Sequence, residues 1–578
     1  MNLCTRIALL AYKLALIPGI VTGQGMVIAN GGHLIVGNGY VSVSRNLSNN
    51  GSYTDQGGTL IFNGAVQQIT GTNGCTLNNF SVSSGSASTL STAGHTLKGV
   101  LKSNGTLNAN GNLTLLSTAG QTALVDGSGT GTVTGNLSMQ RYLPSGFGYR
   151  YISSPFQGST VNSLSDDLDL GAGFPVLYRY EENRDTAWWF SHVATGNALV
   201  PMAGYAANFG AASDPMTFDL EGEVNNGDLT VALYNHNRTH TKGFNLIGNP
   251  YPSPIDWTAS GGWTKTNVDN AIYYFNPGSS NQYVGSYSTY INGVSSDGIA
   301  SNIIPAMQGF FVHVTDGSYP VTAALGFSNA VRINNLNPVF HKKGSMEDLS
   351  IIRISAGFED AQAKTDPLVL TFGSGASFAF NRETDAVKLM NTDPGVPSFY
   401  SVMDENVKCA IKAVPEMKDT LSVIPLGINI LQPGVIVFTV QPFIEQWSGF
   451  RLYFSDNRTG AVTDFQPGDV YRVFLDAGTY DDRFSLLMSL KEIQTSSGAA
   501  DELNAFMRDG RLVVYLNLLN GEQGEVQVTD MVGRLIHREK VSGIGYEAID
   551  LNVATGVYIV SLRTVHSISS KKLLISGK

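Results

Sequence analysis

At 578 residues the chain is too long for a single core and has room for about four domains of ~150 residues each. Hydrophobic residues hold 42% and aromatics 10%, which excludes a disordered chain, while charged residues make up only 14% against the usual ~25%. A formal charge of -10 argues against nucleic acid as a partner, and the 64 glycines, with abundant Ser, Thr and Asn, suit short strands joined by tight turns. The expectation is an all-β, multidomain, exported protein.

Residues 1–23 read as a signal peptide. Arg6 supplies a positive start, Ile7 to Ile17 is apolar apart from Lys13, and Val21-Thr22-Gly23 offers small residues before Gln24. That run is too short, and too broken by Lys13 and Pro18, for a comfortable membrane-spanning helix of ~20 residues; an uncleaved anchor is the alternative. Of the three cysteines, Cys4 leaves with the signal, and Cys75 and Cys409 fall in different modules, so a disulfide scaffold is excluded.

Residues 24–140 are rich in Gly, Asn and Ser, and from Met26 to Gln140 only Arg45, Asp55, Lys98, Lys102 and Asp126 carry charge. Thr76-Leu77-x-x-Phe80 with Gly85 returns twenty residues later as Thr96-Leu97-x-x-Val100 with Gly105. Strands too short to bury anything alone, repeated at that spacing, predict β-solenoid rungs, with an irregular sandwich as the alternative. A solenoid raises the possibility of a polysaccharide lyase, which needs clustered carboxylates and a basic residue to take a proton. Asp55 and Asp126 cannot assemble that set by themselves.

Residues 141–341 contain an internal duplication. Tyr149-Arg-Tyr-Ile-Ser-Ser-Pro155 matches Phe244-Asn-Leu-Ile-Gly-Asn-Pro250 at an offset of 95, and Val176 to Tyr180 matches Ala271 to Phe275 at the same offset. Val200-Pro-Met-Ala-Gly204-Tyr205 then matches Ile304-Pro-Ala-Met-Gln-Gly309-Phe310 with one extra residue inside. Two similar β-sandwich-like halves are predicted. Ile152 and Ile247 should be buried, Gly204 and Gly309 should each precede an aromatic strand residue, and Leu177 and Ile272 should face inward with Tyr178 and Tyr273 opposite.

Residues 346–490 read as a further β-sandwich, residues 491–502 as a polar linker, and residues 503–578 as a small sandwich in which Leu512, Val514 and Leu516 share one face. The carboxyl end carries Val526-Gln-Val528-x-Asp530, Gly533-Arg534, Ile549-Asp550-Leu551, Gly556-Val557-Tyr558-Ile559-Val560 and Lys571-Lys572-Leu573-Leu574-Ile575. In that order the motifs resemble the type A C-terminal sorting domain of the type IX secretion system. The resemblance implies an Ig-like tail that directs cargo across the outer membrane, with Asp530, Gly533, Gly556, Tyr558, Lys571 and Lys572 as the sorting-signal motif. It also implies the outer-membrane secretion machinery as partner and a secreted or cell-surface location, with cargo released or joined to surface lipopolysaccharide. Asp530 and Gly533 suit a turn that needs positive φ, and the lysines can guard an edge strand. Gly243 to Trp257, Met307 to Phe311 and Gly478 to Phe484 resemble large uncharacterised surface proteins carrying the same tail, which supply no catalytic residues to transfer.

The chain contains no G-x-S-x-G, G-x-G-x-x-G, Walker A or H-E-x-x-H motif. His236 and His240 have a ligand-like spacing that aligns two rings only on a helix, and here they predict a solvated hairpin tip. Asp166, Asp167 and Asp169 fail the spacing of a calcium loop. Asp481 and Asp482 point to opposite faces of a strand, which suggests a structural role beside Arg483. No catalytic residue, metal site or cofactor is expected. Trp188 and Trp189, and a loop holding Tyr283, Tyr287 and Tyr290, could stack on pyranose faces, although one of the two tryptophans must face the core. The reading is a non-enzymatic surface protein of adhesive or structural use, with non-catalytic glycan binding as the alternative.

Overall fold

The computed structural model describes residues 20–337 except 24, and residues 351–575 except 362–363, 374, 404–406, 416–420, 443–449, 497–502, 509–510, 518–522, 543 and 566–567. Most of the expected signal peptide and half of the 491–502 linker therefore lie outside the described residues. Among those described, the chain is strand and turn, with three 3₁₀ turns and no α-helix. It divides into two compact units: one within Met1–Leu349, joined by Phe380–Asp393 and Ala410–Lys412, the other comprising Ser350–Ala379, Pro394–Cys409 and Ala413–Lys578.

The first unit begins as a solenoid. Three sheets run side by side, and successive rungs add one short parallel strand to each. Alternation turns every second side chain inward, so identical positions stack: Leu77, Leu97, Leu115 and Met139 form one buried ladder, and Leu60, Phe80 and Leu101 another. The twenty-residue spacing holds at Thr76–Thr96 and Leu77–Leu97. It slips by one at the next corner, where Phe80 pairs with Leu101 instead of Val100, because the turn at Lys98-Gly99 holds an additional residue. The unusual composition follows from stacking. A Cβ on Gly74 would lie 2.1 Å from the Gly94 carbonyl of the adjacent rung. Buried Asn49 closes its corner by donating from Nδ2 to the carbonyls of Asn73 and Gly74.

The last parallel register of the solenoid is at Met139, and the strand that holds it runs on across residue 140. Strand Leu137–Leu143 lies parallel to the last rung strand Leu113–Leu115 and antiparallel to Met216–Val224, so one strand closes the stack and opens the first repeat. The antiparallel partner covers what would otherwise be an open edge.

The two repeats then share order and register. In the first, Tyr149–Ile152, Tyr205–Asn208, Leu177–Tyr180 and Trp189–Ser191 lie in that order; in the second, Phe244–Gly248, Gly309–Val314, Val268–Pro277 and Gly285–Ile291 do the same. Ile152 pairs with Tyr205 as Ile247 pairs with Phe310, and Leu177 pairs with Ala207 as Ile272 pairs with Val312. Each repeat carries a second sheet, built on the pairs Leu137–Leu143 with Met216–Val224 and Leu229–Asn235 with Val321–Phe327. The repeats meet reciprocally: Ser153 N donates to Met307 O at 3.1 Å, and its counterpart Gly248 N donates to Met202 O at 2.9 Å. Both acceptor methionines hold the left-handed conformation, at φ 60° for Met307 and 66° for Met202. Leu177 and Ile272 are buried; Tyr178, across its strand, is half-buried, whereas Tyr273 is covered by Phe244.

In the second unit an antiparallel sheet runs without a break from Ala461–Asp464 through Gly478–Ser489, Leu421–Ile430 and Ile351–Phe358 to Val470–Leu475. It rolls over on itself, since Phe438 meets Phe399, Phe454 and Phe484 from distant strands. The tail is a sandwich of three strands, Asn504–Arg508, Arg511–Asn517 and Ile544–Ile549, on four, led by Gln523–Asp530 and Gly556–Thr564. Leu512, Val514, Leu516, Val526, Val528 and Val560 fill its core.

Candidate functional site

The motif residues of the tail build one end of the four-stranded sheet. Asp530 closes the turn: its carboxylate accepts from the backbone N–H of Val532 and Arg534 and from Arg534 Nε, at 2.9 to 3.1 Å. These donors hold the carboxyl below the usual range, the Arg534 backbone N–H contributing most. Gly533 follows at φ +84°, where a side chain would be strained. Tyr558 is buried and donates to Ala554 O at 2.9 Å, and a Cβ on Gly556 would touch its ring at 3.4 Å. Lys571 and Lys572 lie on Ile568–Ile575, the edge strand; Lys572 is exposed, whereas Lys571 reaches Asp476 at 3.0 Å.

The aromatic residues sort differently from the sequence reading. Tyr287 and Tyr290 do not share a loop with Tyr283 but lie on strand Gly285–Ile291, at 9% and 7% exposure. Tyr287 hydrogen-bonds Tyr151 at 2.9 Å, and the Tyr290 hydroxyl accepts from Gly293 N. Neither offers a free face. Trp189 is half-buried against Tyr180 and Tyr151, and Trp188 has one face covered by His240 at 4.3 Å. Tyr283, at 50% exposure, is open, and two rings that sequence reasoning missed join it: Phe174 at 55% exposure, 5.2 Å away, and half-buried Tyr178, 6.1 Å from Phe174. The local signal was Phe174 as the one aromatic in Gly171-Ala-Gly-Phe-Pro175, a Gly-rich turn. The result is a surface patch to which both repeats contribute.

The other candidates resolve into structural pairs. His236 and His240 do not converge: His236 Nδ1 binds Glu182 Oε2 at 2.6 Å and His240 stacks on Trp188, so the tip, solvated at Asn237, Thr239 and His240, is also tied down. Asp167 stands near Asp166 and Asp219, and burial, then those like charges, pushes its carboxyl up to about 7. Among the described residues no group of three or more His, Cys, Asp or Glu is arranged to hold a metal ion. Asp481 takes Lys408 Nζ and the Tyr400 hydroxyl, both at 2.8 Å, whereas Arg483 clamps buried Asp456. Cys75 and Cys409 are buried thiols that are not joined in a disulfide. A cavity of about 320 Å³ lies between Asp126 and Arg332, but the guanidinium is engaged by Val125 O, Ser253 Oγ and Asn329 Oδ1.

One buried pair has a pH signature. His313 Nδ1 lies 2.6 Å from Asp269 Oδ2 and Nε2 lies 3.0 Å from Lys242 O. Both neighbours can only accept, so the ring carries two protons. Burial disfavours that charge, but Asp269, Asp316 and the Lys242 carbonyl outweigh it and raise the pKa above the ordinary histidine value. A raised folded pKa contributes stability below the unfolded pKa of ~6.5 that is lost as pH rises through the folded value. Asp269→Asn should therefore cost about 3–5 kcal/mol at pH 5.5 and clearly less once the ring is neutral. Urea unfolding across that range checks it; equal losses at every pH would show that His313 is neutral.

Comparison with known families places these features. The model for a domain of unknown function (DUF8693) matches residues 42–488, and that for a secretion system C-terminal sorting domain matches residues 509–576. No curated protein matches the chain. Among solved structures, a segment of two fibronectin type-III domains from chicken tenascin is similar at 14% identity, over 27% of this chain and 97% of that one, with a TM-score of 0.11. The sorting domain makes the protein a type IX cargo, secreted or displayed at the cell surface, with that secretion machinery as its partner. No helix among the described residues is long and apolar enough to cross a membrane.

Proposed function

The chain belongs to the DUF8693 family, and from that premise we propose that it is a non-catalytic surface protein of adhesive or structural use. What supports this reading is the use made of its titratable groups. His313 with Asp269, His236 with Glu182, Arg483 with Asp456 and Lys408 with Asp481 are all committed to holding strands or turns together. Glycan binding is the second reading, favoured by the open faces of Phe174 and Tyr283 beside Tyr178. Such faces stack on the apolar side of a sugar ring, and losing two of them should cost about 1–2 kcal/mol, roughly tenfold in affinity. A glycan array with the mature protein tests this. Binding reduced about tenfold by Phe174→Ala with Tyr283→Ala selects the glycan reading, and adhesion unaffected by them selects the first. Turnover of a glycan or peptide would overturn both.

A further inference from the structure

The tail's three-stranded sheet has two faces, and only one lines its own core. Ala505, Leu512, Val514 and Leu516 point into the tail core, so alternation sends Phe506, Val513 and Tyr515 outward. Three large side chains on an open sheet face would form an exposed apolar patch. Here they are covered. Val435 and Phe474 of the preceding rolled sheet join them in one buried cluster. The Phe474 ring lies 5.3 Å from Phe506 and 6.4 Å from Tyr515. Alongside, Lys571 Nζ sits 3.0 Å from both carboxylate oxygens of Asp476 and 5.7 Å from the Phe474 ring centre.

We propose that this contact is a latch. The chain carries its sorting domain docked, with Lys571 engaged by Asp476, and release frees Lys571 and the face bearing Phe506, Val513 and Tyr515 for the secretion machinery, beside an edge strand Ile568–Ile575 that is open throughout. The inference rests on the tail being the sorting domain and adds a resting state to it. The contact is small and its ion pair is solvated, so the pair adds little strength. What keeps the domains together is their covalent connection, which makes docking intramolecular. Opening the latch leaves both cores intact, because Phe474 and Phe506 meet each other and belong to the shared cluster.

Zero-length carbodiimide coupling of the purified full-length chain, read by mass spectrometry, tests the docking directly. An amide between Asp476 and Lys571 is expected, with the Lys408–Asp481 pair, 2.8 Å apart, as an internal control. Phe474→Ser or Phe506→Ser should reduce the first adduct at least tenfold and leave the second unchanged, with the melting profile of the tail retained. Failure of the 476–571 adduct to form in the wild type, or its survival in both variants, overturns the latch. In cells, Phe474→Ser should reach the surface at least as fast as wild type, and slower delivery would mean that the docked form is the one recognised, which also overturns it. Normal surface delivery after deletion of the whole tail would instead refute the sorting assignment, whatever the adduct shows.

Discussion

Deletion of residues 503–578 is expected to abolish surface delivery and to leave the remaining chain folded in the periplasm. The tail has its own core, drawn entirely from residues between Leu503 and Ile575. The separation is incomplete, however, because Val435 and Phe474 lose the cover of Phe506, Val513 and Tyr515. Exposing part of two apolar side chains should cost the preceding domain about 1–2 kcal/mol, a fall of a few degrees in melting temperature. Cell fractionation and surface labelling read the first effect, and thermal unfolding reads the second. Truncated protein at the surface in normal amounts would refute the sorting assignment, and a collapse of the remaining fold would show that the tail is an integral part of it.

Truncating either Ile152 or Ile247 to Ala should cost about 2–5 kcal/mol, from lost burial and the cavity left behind. They are 2% and 1% exposed, and they pair with Tyr205 and Phe310 at matching places in matching sheets. Equivalent environments predict comparable losses. The tyrosines predict the opposite: Tyr273→Ala should be costly because its ring is buried, and Tyr178→Ala milder because its ring is only partly buried. Denaturant unfolding of the four variants checks both statements. A loss within ~0.5 kcal/mol at Ile152 or Ile247 would mean a surface position and would break the equivalence.

These contrasts separate what neighbouring residues dictate from what distant ones decide. Strand identity, the twenty-residue rung spacing at Leu77 and Leu97, the paired repeats and the Asp530–Gly533 turn were all determined by the sequence itself. Each rests on alternation, on repetition, or on a side chain reaching backbone a few residues away, and those interactions are written locally. Exposure and partnership are not local. Tyr287 is removed from solvent by Tyr151, 136 residues earlier, and Arg483 passes over the adjacent Asp482 for Asp456, 27 residues back. Strand Leu137–Leu143 serves two domains because a sheet edge accepts whichever backbone the fold brings to it, without regard to side chains. For the same reason the face of the tail bearing Phe506 and Tyr515 reads in sequence only as alternation; the tertiary structure alone decided that Phe474 would cover it.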